Sequence, residues 1–255
     1  MGKNKLKKFA EMETFSNVFQ CGAREMLPDN QIHPMAGHWR NEFFHNNNPI
    51  VLELGCGRGE YTIGLAQKYP DKNFIGIDIK GARMWAGARQ AVRQQLKNVA
   101  FLRTNIEIIS SFFAKNEVDE IWLTFCDPQM KKATKRLTST FFMQRYQHIV
   151  KPDGLIHLKT DSPFLYTYTC EMLRINSYPV LCNTDDLYAG TLEFIDAFED
   201  AITLQTHYEK QWLDRGMSIK YIVWQLTPLS SFQEPTIEIE KDTYRSYGRN
   251  YNSPQ

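Results

Sequence analysis

The 255-residue sequence contains no apolar run near the ~20 residues that a membrane-spanning helix requires, so no membrane partner is expected. Cysteine is scarce. The five residues Cys21, Cys56, Cys126, Cys170 and Cys182 are odd in number and show no C-x-x-C spacing. That argues against a disulfide framework or a zinc site and leaves reduced, mostly buried thiols, as expected of a cytoplasmic protein. His33, His38 and His45 lie close together, but their spacing fits no standard ligand set, and no metal is expected. Neither sign of charge dominates, the net being +1, so bulk electrostatics do not announce a nucleic-acid partner. The first ten residues lack the apolar core of a secretory signal, and no internal repeat is found. With 42% hydrophobic and 23% charged residues, the composition is that of a globular domain long enough for a substantial core.

From residue 49 onward, apolar runs alternate with amphipathic segments. Strands are predicted at 50–54, 73–77, 99–103, 120–125, 155–159, 179–183 and 218–226. Helices are predicted near 58–68, 81–96, 106–114, 139–150, 163–175 and 191–204. Continuous Val, Ile, Leu and Phe runs separated by helices indicate an α/β fold, with a doubly wound, mostly parallel sheet covered on both faces. Residues 1–48 read as an irregular extension with a basic arm (Lys3, Lys5, Lys7, Lys8), residues 49–229 as the domain, and residues 230–255 as a polar tail. The tail carries Tyr244, Tyr247 and Tyr251 and is expected to drape the surface or stay disordered.

The most informative segment is Val51-Leu-Glu-Leu-Gly-Cys-Gly-Arg-Gly-Glu60. A strand ending in Gly55, Gly57 and Gly59 and opening a helix brings backbone N–H groups close to a nucleotide-like ligand, because no Cβ intervenes. A dinucleotide fingerprint would need a third glycine at position 60, where Glu60 stands. The E-x-G-x-G-x-G pattern, Glu53 to Gly59, instead resembles the first motif of S-adenosylmethionine (SAM) methyltransferases, in which the acid faces the cationic methionine end. The competing reading is a tight turn without a ligand. Asp78 ends the next predicted strand, 19 residues beyond Gly59, where a carboxylate can accept both ribose hydroxyls or cap the following helix. Asn105 follows the third strand and could read an adenine edge or serve as an N-cap.

Ligands in doubly wound sheets sit at the carboxyl ends of strands, which directs attention to Asp127 and Asp161 as well. Pro128 fixes Asp127 in extended backbone at the mouth of the cleft. Then comes Lys131-Lys-Ala-Thr-Lys-Arg136, a basic run that could hold RNA or simply be solvated. Phe125-Cys-Asp-Pro-Gln-Met-Lys-Lys-Ala-Thr-Lys-Arg-Leu137 resembles the fourth-strand signature of the bacterial tRNA (guanine-N7)-methyltransferases, F-P-D-P-W-P-K-K-R-H-x-K-R-R-L. It keeps the Asp-Pro, the Lys pair and the Lys-Arg-Leu but lacks the Trp and the His and is shorter. Gly154-Leu-Ile-His-Leu-Lys-Thr-Asp161 and Thr206-His-Tyr-Glu209 resemble two further segments of that family, although an N-cap and a capping box explain the same residues. The resemblance covers about residues 50–226.

The resemblance implies a seven-stranded, Rossmann-like class I SAM methyltransferase sheet with an antiparallel final strand. It implies tRNA as partner, a homodimer being left open, and methyl transfer from SAM to guanine N7, with S-adenosylhomocysteine as product and no metal. Cofactor contacts are then expected at Glu53, Gly55, Gly57, Asp78, Asn105 and Asp127, with Asp127 also catalytic. Substrate contacts are expected at Lys131, Asp161, Thr206 and Glu209, and RNA contacts at Lys132, Lys135 and Arg136. Two alternatives stay open: a SAM methyltransferase acting on another RNA base or a small molecule, and a non-catalytic RNA-binding subunit. Against amino-group methylation, Asp127-Pro128 is followed by Gln129 and Met130, with no aromatic residue to stack a base.

Overall fold

The computed structural model describes residues 2–21, 32–189 and 198–243. In chain order the elements are α1 (Gly2–Met12), β1 (Val18–Gln20), a π-helical turn (Trp39–Phe44), β2 (Ile50–Leu54), α2 (Glu60–Lys68), β3 (Asn73–Asp78), α3 (Gly81–Arg93), β4 (Val99–Arg103), a 3-10 turn (Ile106–Ser111), β5 (Val118–Thr124), a 3-10 turn (Ala133–Lys135), α4 (Thr140–Ile149), β6 (Val150–Thr160), α5 (Pro163–Ile175), β7 (Val180–Thr184), α6 (Glu199–Thr203), α7 (His207–Leu213) and β8 (Lys220–Gln225). The sheet runs β1-β4-β3-β2-β5-β6-β8-β7. All pairings are parallel except β6–β8 and β8–β7, so the last strand does insert antiparallel.

Alternation along the strands builds two cores. Ile50, Leu52 and Leu54 of β2 join one core with Trp39, Phe112, Met143 and Leu165. Val51 faces the other, with Tyr61, Met84, Phe101, Trp122 and Tyr221. Burial on both faces explains why the central strands are largely apolar on both alternating faces, because neither side meets water.

Three expectations are corrected. The sheet has eight strands among the described residues, since β1 pairs in parallel with β4 through Val18↔Phe101 and Phe19↔Leu102. The segment before residue 49 is accordingly not irregular. Trp39 is fully buried and donates its Nε1 proton to the Phe112 carbonyl at 2.9 Å. Helix α1 docks on α3: Met12 is buried, Phe9 lies 4.5 Å under the Arg103 guanidinium, and Glu11 accepts from Trp85 Nε1 at 2.9 Å. A three-residue strand and a helix with a single buried apolar side chain, Met12, leave too little pattern for periodicity to reveal. The stretch expected as helix at 106–114 is a 3-10 turn ending at Ser111. Of the helix expected at 191–204, residues up to 197 lie outside the described residues, and α6 occupies the remainder.

The tail is partly described. Residues 230–243 run over α4 and α5 without regular structure, and Tyr244, Tyr247 and Tyr251 lie outside the described residues. Glu234 accepts from the Thr140 hydroxyl at 2.6 Å and from the Tyr168 hydroxyl. Asn176 exchanges two 2.8 Å hydrogen bonds with the Gln233 backbone.

Candidate functional site

Chain order reverses at β2, which has β3 on one side and β5 on the other. The carboxyl ends of β2 and β5 therefore diverge into the crevice where doubly wound sheets bind ligands. The glycine turn fills one side of it. Gly55, Gly57 and Gly59 all have positive φ, +80°, +54° and +72°, a region that costs other residues strain. At Gly59 a Cβ would also lie 2.6 Å from Phe101, so close packing requires glycine there, while at Gly55 and Gly57 it would meet only ordinary contacts, at 3.9 and 4.0 Å. The turn is anchored from behind: the N–H groups of Gly55 and Cys56 donate to the Ile77 carbonyl at 2.8 and 3.0 Å.

Two carboxylates brace this cradle. Asp78 accepts from Gly57 N–H at 2.9 Å and Lys80 N–H at 2.7 Å. Each carboxylate oxygen has two lone-pair sites, so acceptor capacity remains for a hydroxyl. Glu53 is buried beneath the turn, where Thr62 donates from its N–H (2.8 Å) and hydroxyl (2.5 Å) and Thr124 from its hydroxyl (2.7 Å). Burial pushes the Glu53 carboxyl up to about 7, with Asp78 adding to the rise and the Thr62 and Thr124 hydrogen bonds opposing it. An open backbone cradle flanked by two acids suits a ligand with a cationic end and a ribose. The residues present fit SAM: Gly55 and Gly57 would offer backbone, Asp78 an acceptor for the ribose and Glu53 a carboxyl below. Asn105 is an N-cap, its Oδ1 accepting from Glu107 N–H at 3.2 Å.

Across the crevice, β5 ends in a strained loop. Phe125 and Gln129 both hold positive φ, +51° and +46°, and between them Asp127 stands exposed, its carboxylate accepting from Gln129 N–H at 3.0 Å. Backbone strain of this kind costs of order 1–3 kcal/mol per residue and gathers where geometry serves a ligand. Lys131 and Lys132 are exposed beyond it.

Several expected contacts are placed elsewhere. Arg136 is a correction: it is buried, with its guanidinium 4.4 Å from the Tyr168 ring and 4.8 Å from the Phe164 ring, and it donates to the carbonyls of Gln129 and Met130 at 3.2 Å. It fastens the loop to α5. Lys135 is half-exposed but paired with Glu107. Asp161 is fully buried at the end of β6. Thr206 and Glu209 form a capping box at the start of α7, and Glu209 is fully buried, paired with Lys159 Nζ at 2.7 Å and accepting from the Tyr188 hydroxyl at 2.6 Å. All three are buried, at the end of β6 and the start of α7.

The structure adds residues that the sequence reading passed over. Lys159 is wholly buried, and desolvation depresses its pKa to about 8 against the pull of Glu209. A lysine within Leu-Ile-His-Leu-Lys was itself a signal, since a charge inside an apolar strand demands a partner. Tyr208 is exposed, with its ring 6.1 Å from that of Phe125. It lies beside Phe125, the residue that follows β5. Next to it, His207 N–H donates to Glu60 at 3.0 Å, tying α7 to the start of α2.

Among solved structures, the 16S rRNA methyltransferase KamB superposes with a TM-score of 0.54 at 13% identity, covering 71% of this chain and 89% of that one. An antibiotic-related methyltransferase gives 0.52 at 16% identity, covering 72% and 90%. At such identities the likeness concerns fold alone: the chain has the class I methyltransferase fold, with the glycine cradle at its switch point. The family model described as "Putative methyltransferase" matches residues 47–222. The tRNA (guanine-N(7)-)-methyltransferase of Bacteroides thetaiotaomicron is 58% identical over 253 residues, covering 99% of this chain and 98% of the relative. That of Porphyromonas gingivalis is 54% identical, covering 95% and 98%. The chain belongs to the tRNA (guanine-N7)-methyltransferase family.

Proposed function

We propose that the chain methylates N7 of a guanine in tRNA, by family likeness the guanine of the variable loop, yielding 7-methylguanosine and S-adenosylhomocysteine. The observation that carries this reading is the near full-length likeness to relatives bearing that name. SAM, when bound, supplies a methyl group already activated by a positive sulfur. Guanine N7 keeps its lone pair at neutral pH, so it forms the new N–C bond without losing a proton, and the C–S electrons return to sulfur. The protein's work is therefore orientation and electrostatics.

Asp127 is the exposed carboxylate at the switch point. It accepts from the N1–H and 2-amino donors on the far edge of guanine and offsets the positive charge that grows on the ring. Tyr208 gives the base a flat neighbour, and Lys131 and Lys132 meet phosphate. Asp161 and the Thr206–Glu209 box hold the wall behind. The test is incubation with labelled SAM and unmodified tRNA, followed by digestion to nucleosides. Label in 7-methylguanosine is expected, and label on an exocyclic amine or a ribose oxygen would overturn the reading.

A further inference from the structure

The loop bearing Asp127 and the turn bearing Asp161 belong to successive βα units, yet a third segment joins them. Asp242, in the tail, is 9% exposed. Its carboxylate accepts from the Ser162 hydroxyl and from Phe164 N–H at 3.1 Å, at the start of α5. Its own N–H points at Met130 Sδ, 3.2 Å away, in the loop between Asp127 and Lys131. Ser162 passes the connection on: its Oγ accepts from Leu165 N–H at 2.9 Å, and its N–H donates to the Thr160 hydroxyl at 3.1 Å. Asp161 lies between these two residues.

A carboxylate at a helix N-terminus is favoured by the unpaired N–H groups there, which explains why an acid is stable in this partly dry place. A cap alone would not need to touch the Asp127 loop as well. Arg136 supplies a second fastening of the same loop, to Phe164 and Tyr168. The loop, the turn and the first turn of α5 are thus held as one unit.

We propose that Asp242 is a positioning residue for methyl transfer, setting the Asp127 loop against the β6–α5 turn so that the guanine pocket has its working width. The inference rests on the reading of Asp127 as the carboxylate that faces the base. On this reading Asp242 acts through the loop, so its removal should be felt in turnover and not in cofactor affinity.

Asp242→Ala is expected to lower kcat with tRNA by about 10–100-fold, the scale on which an ångström of misplacement is felt, while Kd for SAM stays within twofold. Asp242→Asn keeps an acceptor oxygen for Phe164 N–H and should recover most of that loss. Asn176→Ala loosens the same tail where it meets Gln233, far along α5, and should lower the melting temperature with kcat kept within twofold. If Asp242→Ala does not fold, Asp242→Glu, which displaces the carboxylate by one methylene, decides with the same two readouts. An unchanged kcat, a matching loss of SAM affinity, or an equal kcat loss in Asn176→Ala would overturn the role. Wild-type protein that forms 7-methylguanosine while Asp242 variants keep full turnover removes the positioning role alone. Wild-type protein that forms none removes the functional reading and this role with it.

Discussion

At the residue scale, Glu53 makes the site responsive to pH. Its carboxyl is raised from the ordinary 4.5 to about 7, with burial the leading cause. The folded protein therefore holds a proton that the unfolded chain releases between those values. Stability from this group is greatest on the acidic side and declines as pH rises toward and through about 7. A cationic ligand above Glu53 favours the charged form, so SAM binding should expel that proton. Calorimetry in buffers of different ionisation enthalpy should show affinity rising through pH 7 with proton release, and Glu53→Gln should abolish both. Asp127→Asn is expected to reduce turnover by about 10²–10³-fold, the cost of one preorganised polar contact, with SAM affinity nearly unchanged, as single-turnover kinetics and equilibrium binding would show. The glycines and Asp127 were legible because turn and strand-end chemistry is local. Arg136 was not, since the rings that bury it come from residues 164 and 168, about thirty positions on.

At the scale of elements, β6 and α7 are joined by the Lys159–Glu209 pair, both members fully buried. Removing one partner strands a charge in the interior, which typically costs about 3–5 kcal/mol. Lys159→Met should lose that much in urea denaturation. The double variant Lys159→Met with Glu209→Gln, which keeps a residue able to complete the capping box, should lose considerably less. Equal losses in the single and double variants would mean that the pair is not coupled. The central strands were legible because two-sided burial leaves them largely apolar on both faces. Strand β1 was not: three half-buried residues acquire their strand character from β4, and only the fold brings those two segments together.

At the scale of the whole molecule, electrostatic recognition of tRNA is narrower than the sequence charge implied. Of the four cations after Asp127, Arg136 is committed to the interior and Lys135 to Glu107. Replacing Lys131 and Lys132 together should therefore reduce the slope of log K against log salt by roughly 0.7–0.9 per lost phosphate contact. Replacing Lys135 should change it less, which filter binding across a salt series would measure. The tail has one more consequence, which concerns time. Domains fold as they leave the ribosome, amino end first, and the glycine turn, Asp127, Asp161 and Glu209 all emerge before Asp242. A nascent chain can thus build its sheet and its cofactor cradle while the clasp between the Asp127 loop and α5 is still unmade. If Asp242 sets the Asp127 loop as proposed, competence to modify tRNA is acquired after the cradle, as a later step of folding.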